Sequence, residues 1–147
     1  MATTDDSHGQ GTQAHDAGAS AVRVQWQGAA PGPDDVVMVL STAPDLLLAK
    51  RIAHMLVEEG HAACVNLSAP GLSMYLWQEV LEGTEEITLT AKTTGQATQA
   101  LIDRLMQLHP YEVPEVLVMP VLGASAGYRE WVRNVCNGRA ALNQEDE

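Results

Sequence analysis

Positive charge is scarce in this chain. Eight Lys and Arg stand against nineteen Asp and Glu, a formal net charge of −11. The few cations are scattered and form no stripe along one segment, which argues against a nucleic-acid backbone as partner. Cysteine is nearly absent too: Cys64 and Cys136 form no CxxC pair. No apolar run approaches the roughly 18 residues that a membrane span needs. The N-terminus carries Asp5 and Asp6 where a secretory signal would carry a basic run followed by an apolar one. Two thiols without an export signal predict a reduced, cytoplasmic protein that binds no membrane.

Catalytic signatures are missing as well. There is no nucleophile elbow and no dinucleotide fingerprint, and GASAG at Gly123 to Gly127 lacks the lysine of a phosphate loop. No nucleophile is paired with a base. These absences favour a binding or scaffolding role over an enzyme.

What is there suffices for one domain: 147 residues, 46% of them hydrophobic. Residues 1–34 are rich in Gly, Ala, Thr, Asp and Gln without sustained periodicity, and predict a flexible tail. VRVQW, Val22 to Trp26, offers a short edge strand as the alternative, and the tail reading is preferred. The folded domain is expected over 35–137, with 138–147 as a flexible acidic C-terminal tail.

VVMVL, Val36 to Leu40, reads as a strand covered by helices. Thr42 is a candidate cap for a helix over Leu46 to Glu59, whose stripe holds Leu48, Ile52, Met55 and Leu56 and which Gly60 stops. HAACVN begins a strand, SAPG bends it, and LSMYLW resumes it. LEGTEE, Leu81 to Glu86, reads as a hairpin turn, and ITLTAKT as a strand with Ile87, Leu89 and Ala91 on one face. A second helix runs from about Gly95 to Leu108, VLVMPV makes a fourth strand, and a terminal helix carries Tyr128, Trp131, Val132 and Val135.

That order predicts an α+β sandwich: a ferredoxin-like βαββαβ unit with a C-terminal helix, both main helices covering one face of a four-stranded antiparallel sheet. The other face is left bare. With Tyr75, Trp77, Ile87, Leu89 and Val118 the strands carry more apolar surface than one helical layer covers, so self-association is expected.

HPYEVPE, His109 to Glu115, is the most distinctive stretch. A neutral His109 imidazole with Glu112 suits a borderline cation such as copper or zinc, but equally His109 caps the preceding helix end. Pro110 and Pro114 pin the backbone and so position Tyr111 and Glu112. Tyr75 and Trp77 lie two apart on one strand face, where sheet packing alone would explain them. Lys92 is placed to meet a carboxylate or an anionic ligand, or to snorkel to solvent. Cys64 reads as a small core residue.

The motifs VLSTAPD, HAACVN, SMYLW, AKTT, HPYEVPE and YREWV, in this order and spacing from about Val36 to Cys136, resemble the CutA family of divalent-cation tolerance proteins. The resemblance implies a ferredoxin-like homotrimer in which sheets pack and long hairpins pair between subunits. It is similar in architecture to trimeric nitrogen-regulatory signal proteins, which bind small ligands in clefts between subunits. Copper or another divalent cation is the ligand that the resemblance implies, with response to metal ions as the role. A small-ligand sensor or interaction module is the alternative. Tyr75, Trp77, Lys92, His109, Tyr111 and Glu112 match the pattern around the intersubunit cleft. Of a histidine and cysteine trio proposed for relatives only His109 is present, because Ser41 and Leu108 stand at the other two positions. Many members also have Gly and Lys where this chain has Glu79 and Val80.

Overall fold

The computed structural model describes residues 22–145, and the side chains among them up to Gly138. The first twenty-one residues, expected as tail, lie outside the described residues.

Strand β1, Val36–Ala43, leads into helix α1, Leu46–Glu58. Asp45 caps the helix: its side chain accepts the Leu48 N–H at 2.8 Å. Thr42, the candidate from sequence, still belongs to β1; Asp45 stands immediately before the first turn, in the extended conformation a cap needs. At the far end Gly60 takes φ +78, and the N–H groups of Gly60 and His61 close back onto the carbonyls of Val57 and Leu56. This closure helps to satisfy the carbonyls at the helix end, and glycine takes the left-handed backbone without a Cβ clash.

Strands β2 (Cys64–Leu67) and β3 (Gly71–Trp77) precede the long β4 (Val80–Thr94). The hairpin turn is Gln78–Glu79, both at positive φ, with Trp77 opposite Val80. The expected turn at Leu81 to Glu86 is instead paired strand. Gly83, the residue that suggested a turn, packs its bare Cα beside Leu72, where an added Cβ would lie 3.2 Å from a Leu72 methyl. Helix α2 (Thr98–Leu108), β5 (Leu117–Pro120) and α3 (Ala126–Glu145) complete the order. Helix α3 thus continues beyond Asn137 into the segment expected to be tail.

The sheet order is β2-β4-β1-β5, every pair antiparallel, with β3 paired to the outer half of β4. This is the ferredoxin-like arrangement with an added hairpin. Ala49, Ile52 and Leu56 of α1 and Leu101, Ile102 and Leu105 of α2 recur at helical spacing and bury against Val39, Ala43, Ile87, Leu89 and Ala91. Ile87, Leu89 and Val118, counted among the apolar surface in excess of one helical layer, all belong to the helix-covered face. The opposite face carries Met38, Leu40, Thr88, Thr90 and Lys92 in cross-strand register. Helix α3 covers one end of the sheet through Val132 and Cys136, which bury with Val36 and Ala63.

The segment 22–34 forms no strand, yet it is seated on the body. Val22 and Val24 pack against the main core, and Gln99 hydrogen-bonds the backbone of both.

Candidate functional site

His109 follows α2 directly, with only 7% of its surface exposed. Its Nε2 lies 2.7 Å from the Thr42 carbonyl oxygen, and its Nδ1 accepts the Tyr111 N–H at 3.1 Å. An Nδ1 that accepts must be unprotonated, so Nε2 carries the proton and donates to Thr42. Both ring nitrogens are thus engaged inside the chain. The sequence offered the helix end as the alternative partner, but the imidazole ties the HPYEVPE corner to the end of β1 instead. Only the backbone N–H of His109 serves the helix, through the Leu105 carbonyl at 2.9 Å.

A resident metal does not fit this corner. A neutral imidazole ligand needs a free lone pair, and the one on Nδ1 is occupied. Glu112 is exposed and pairs with nothing among the described residues. Among those residues no three His, Cys, Asp or Glu side chains gather as metal ligands.

Tyr111 stacks at a tilt on His109, ring centroids 4.9 Å apart. Partial burial pushes its phenol pKa up, and the charges of Glu86 and Tyr75 add to the shift. Tyr75 in turn bonds its hydroxyl to Thr84 Oγ1 at 2.7 Å. Tyr75, Thr84, Glu86 and Tyr111 thus share one neighbourhood at the root of the hairpin. Thr84 and Glu86 were missed in the sequence because LEGTEE read as a turn. Once the turn is moved to Gln78–Glu79, strand alternation places them.

Lys92 lies elsewhere. It is registered with Met38 on one side and Cys64 on the other, and its Nζ donates to Asn66 Oδ1. Cys64 Sγ stands 3.7 Å from the Tyr128 hydroxyl. Tyr75 is opposite Glu82, ten positions up β4 from Lys92, or about 30 Å of strand at roughly 3.3 Å per residue. Trp77 is farther still, at the tip and 60% exposed. Of the six cleft residues read from sequence, one chain brings Tyr75 and His109 to Tyr111 and leaves Trp77 and Lys92 apart from them.

The hairpin itself is apolar on both faces. Leu72, Met74, Leu76 and Leu81 share one face and Trp77 and Val80 the other, and each is more than half exposed. The class of protein is a ferredoxin-like sandwich extended by a long hairpin that exposes apolar side chains on both faces. The family described as CutA1 divalent ion tolerance protein matches residues 37–135, and the chain belongs to it.

The divalent-cation tolerance protein CutA of Pectobacterium atrosepticum is 42% identical over 98 residues, 67% of this chain and 89% of that one. The protein of the same name from Thermus thermophilus is 43% identical over 97 residues, 65% of this chain and 93% of its own length. Among solved structures, CutA of Xylella fastidiosa superposes with a TM-score of 0.68 at 39% identity, covering 69% of this chain and 98% of that one. CutA1 of Oryza sativa gives 0.67 at 33% identity, over 69% and 93%.

Proposed function

We propose that this CutA1-family protein works as a homotrimer whose ligand site is completed between subunits. Its part in divalent-cation tolerance is exerted from that site rather than through a metal held within one chain. The observation that carries the reading is the separation of Lys92 from Tyr75 along β4. Aromatic faces, an ammonium and the free Glu112 carboxylate suit a small polar molecule, but only a second chain can bring them to one cleft. The exposed apolar hairpin supports the same conclusion, and the family resemblance supplies the number three. Copper and other divalent cations then bind weakly, through exposed carboxylates such as Glu112, with solvent completing the shell.

Thermal unfolding of the intact protein tests this with copper(II), zinc(II) and a panel of small anionic and zwitterionic metabolites. A cleft ligand selective for the native assembly raises the apparent stability in a saturable way. The effect should disappear in Lys92→Met and in Tyr75→Ala alike. Stabilisation by copper alone, abolished by His109→Ala, would overturn the proposal.

A further inference from the structure

Three histidines lie among the described residues, and each faces a different set of groups. His109 has both ring nitrogens engaged with the backbone. His61 Nε2 stands 3.3 Å from Glu59 Oε2, but that carboxylate already accepts two bonds from Arg104, at 2.8 and 2.9 Å. A dication there would meet the guanidinium charge and would have to displace it. His54 is the third. Its Nε2 lies 2.6 Å from Glu58 Oε2, one helical turn on, and both side chains are well exposed, at 71% and 65%.

We infer that His54 and Glu58 form a surface clip for a divalent transition-metal ion such as copper(II) or zinc(II). The helix supplies the geometry. Residues four apart project side by side from one face, the spacing by which a helix presents two ligands to a single metal. An imidazole nitrogen and a carboxylate oxygen both suit ions of this borderline class. A metal at roughly 2.1 Å from each would set the two atoms about 3 Å apart. The observed contact is a little shorter, so a small rotation of either exposed side chain admits the ion. Nε2 now carries its proton toward the carboxylate. When the metal takes the Nε2 lone pair, a neutral ring keeps its proton on Nδ1 and an imidazolium releases one to solvent.

Charge favours the ion at this end of α1. The last turn carries no Lys or Arg, and the helix dipole is negative there. Lys50 and Arg51, one turn back from His54, oppose a cation, but both are exposed and solvent screens their repulsion. No third His, Cys, Asp or Glu joins the pair as a metal ligand among the described residues, so water completes the shell and the ion exchanges readily. The clip is separate from the intersubunit cleft, and neither depends on the other.

Thermal unfolding of the full chain against rising copper(II) and zinc(II) reads the clip selectively. The unfolded chain has the same side chains without their helical spacing, so only a site built by the fold raises the apparent stability. A saturable rise is expected in the wild type and in His61→Ala. In His54→Ala and in Glu58→Gln the metal concentration needed for the same rise should increase about tenfold or more. Both substitutions fall on exposed helix surface, and circular dichroism checks that the fold is kept. A wild type without a metal-dependent rise would overturn the clip. So would a rise that survives both substitutions, or one that His61→Ala abolishes.

Discussion

His109 and Thr42 are joined by a 2.7 Å hydrogen bond from the imidazole to the main-chain carbonyl at the end of β1. With Tyr111 held on the other ring nitrogen, the histidine staples the corner after α2 to the first strand. His109→Ala removes two partly buried hydrogen bonds and leaves a void, so it should cost about 2–4 kcal/mol by denaturant unfolding. Calorimetric titration of copper and zinc should give the same affinities for wild type and variant. A clear loss of affinity in the variant would return the histidine to the metal account.

Ser41 is the converse case. Its hydroxyl is buried beneath the helices and finds no hydrogen-bond partner among the described residues. Desolvating an unsatisfied hydroxyl costs about 1–3 kcal/mol, whereas a methyl group there is at home. Ser41→Ala should therefore raise the melting temperature by several degrees. A fall would mean that the hydroxyl is satisfied in solution.

The turn at Gln78 and Glu79 holds both residues at φ 48 and 68, where a side chain is strained and glycine is not. Glu79→Gly should stabilise the hairpin by about 1 kcal/mol, read as a shift of the denaturation midpoint with unchanged slope.

Arg104 links α2 to the end of α1 through two bonds to the Glu59 carboxylate, at 2.8 and 2.9 Å. These bonds hold the carboxyl pKa below its ordinary 4.5; partial burial opposes them, while the Arg104 charge and His61 reinforce them. A depressed folded pKa gives stability that is complete above about pH 4.5 and is lost as the pH falls through the lowered value. Arg104→Gln should thus cost about 0.5–1 kcal/mol at pH 7, as partly exposed pairs do, and nothing once Glu59 is protonated in both states. A cost that persists in acid would assign the effect to packing.

Much of this architecture was legible in the chain. The 3.6-residue stripes of α1 and α2 and the alternation through ITLTAKT are strong because burial on one face enforces them. The hairpin was misplaced because Gly83 is a glycine inside a strand and the real turn uses two residues that rarely take positive φ. Val22 and Val24 were read as tail in preference to an edge strand because a segment seated by Gln99 and Gly95 has no periodicity of its own. The residues of HPYEVPE could be singled out from sequence, but the partner of His109 is 67 positions away and is a carbonyl, which no side-chain pattern encodes. Nor can any motif tell that Lys92 and Glu82, the β4 partner of Tyr75, sit ten positions apart on one strand until the register is known.

The central claim is that one chain holds only part of the site and that further copies complete it. Static light scattering on the purified full chain at micromolar concentration tests it most directly. The account predicts three times the 15.7 kDa chain mass, falling toward a single chain when Leu76 and Leu81 in the hairpin are both replaced by lysine. A wild-type mass of one chain would contradict it.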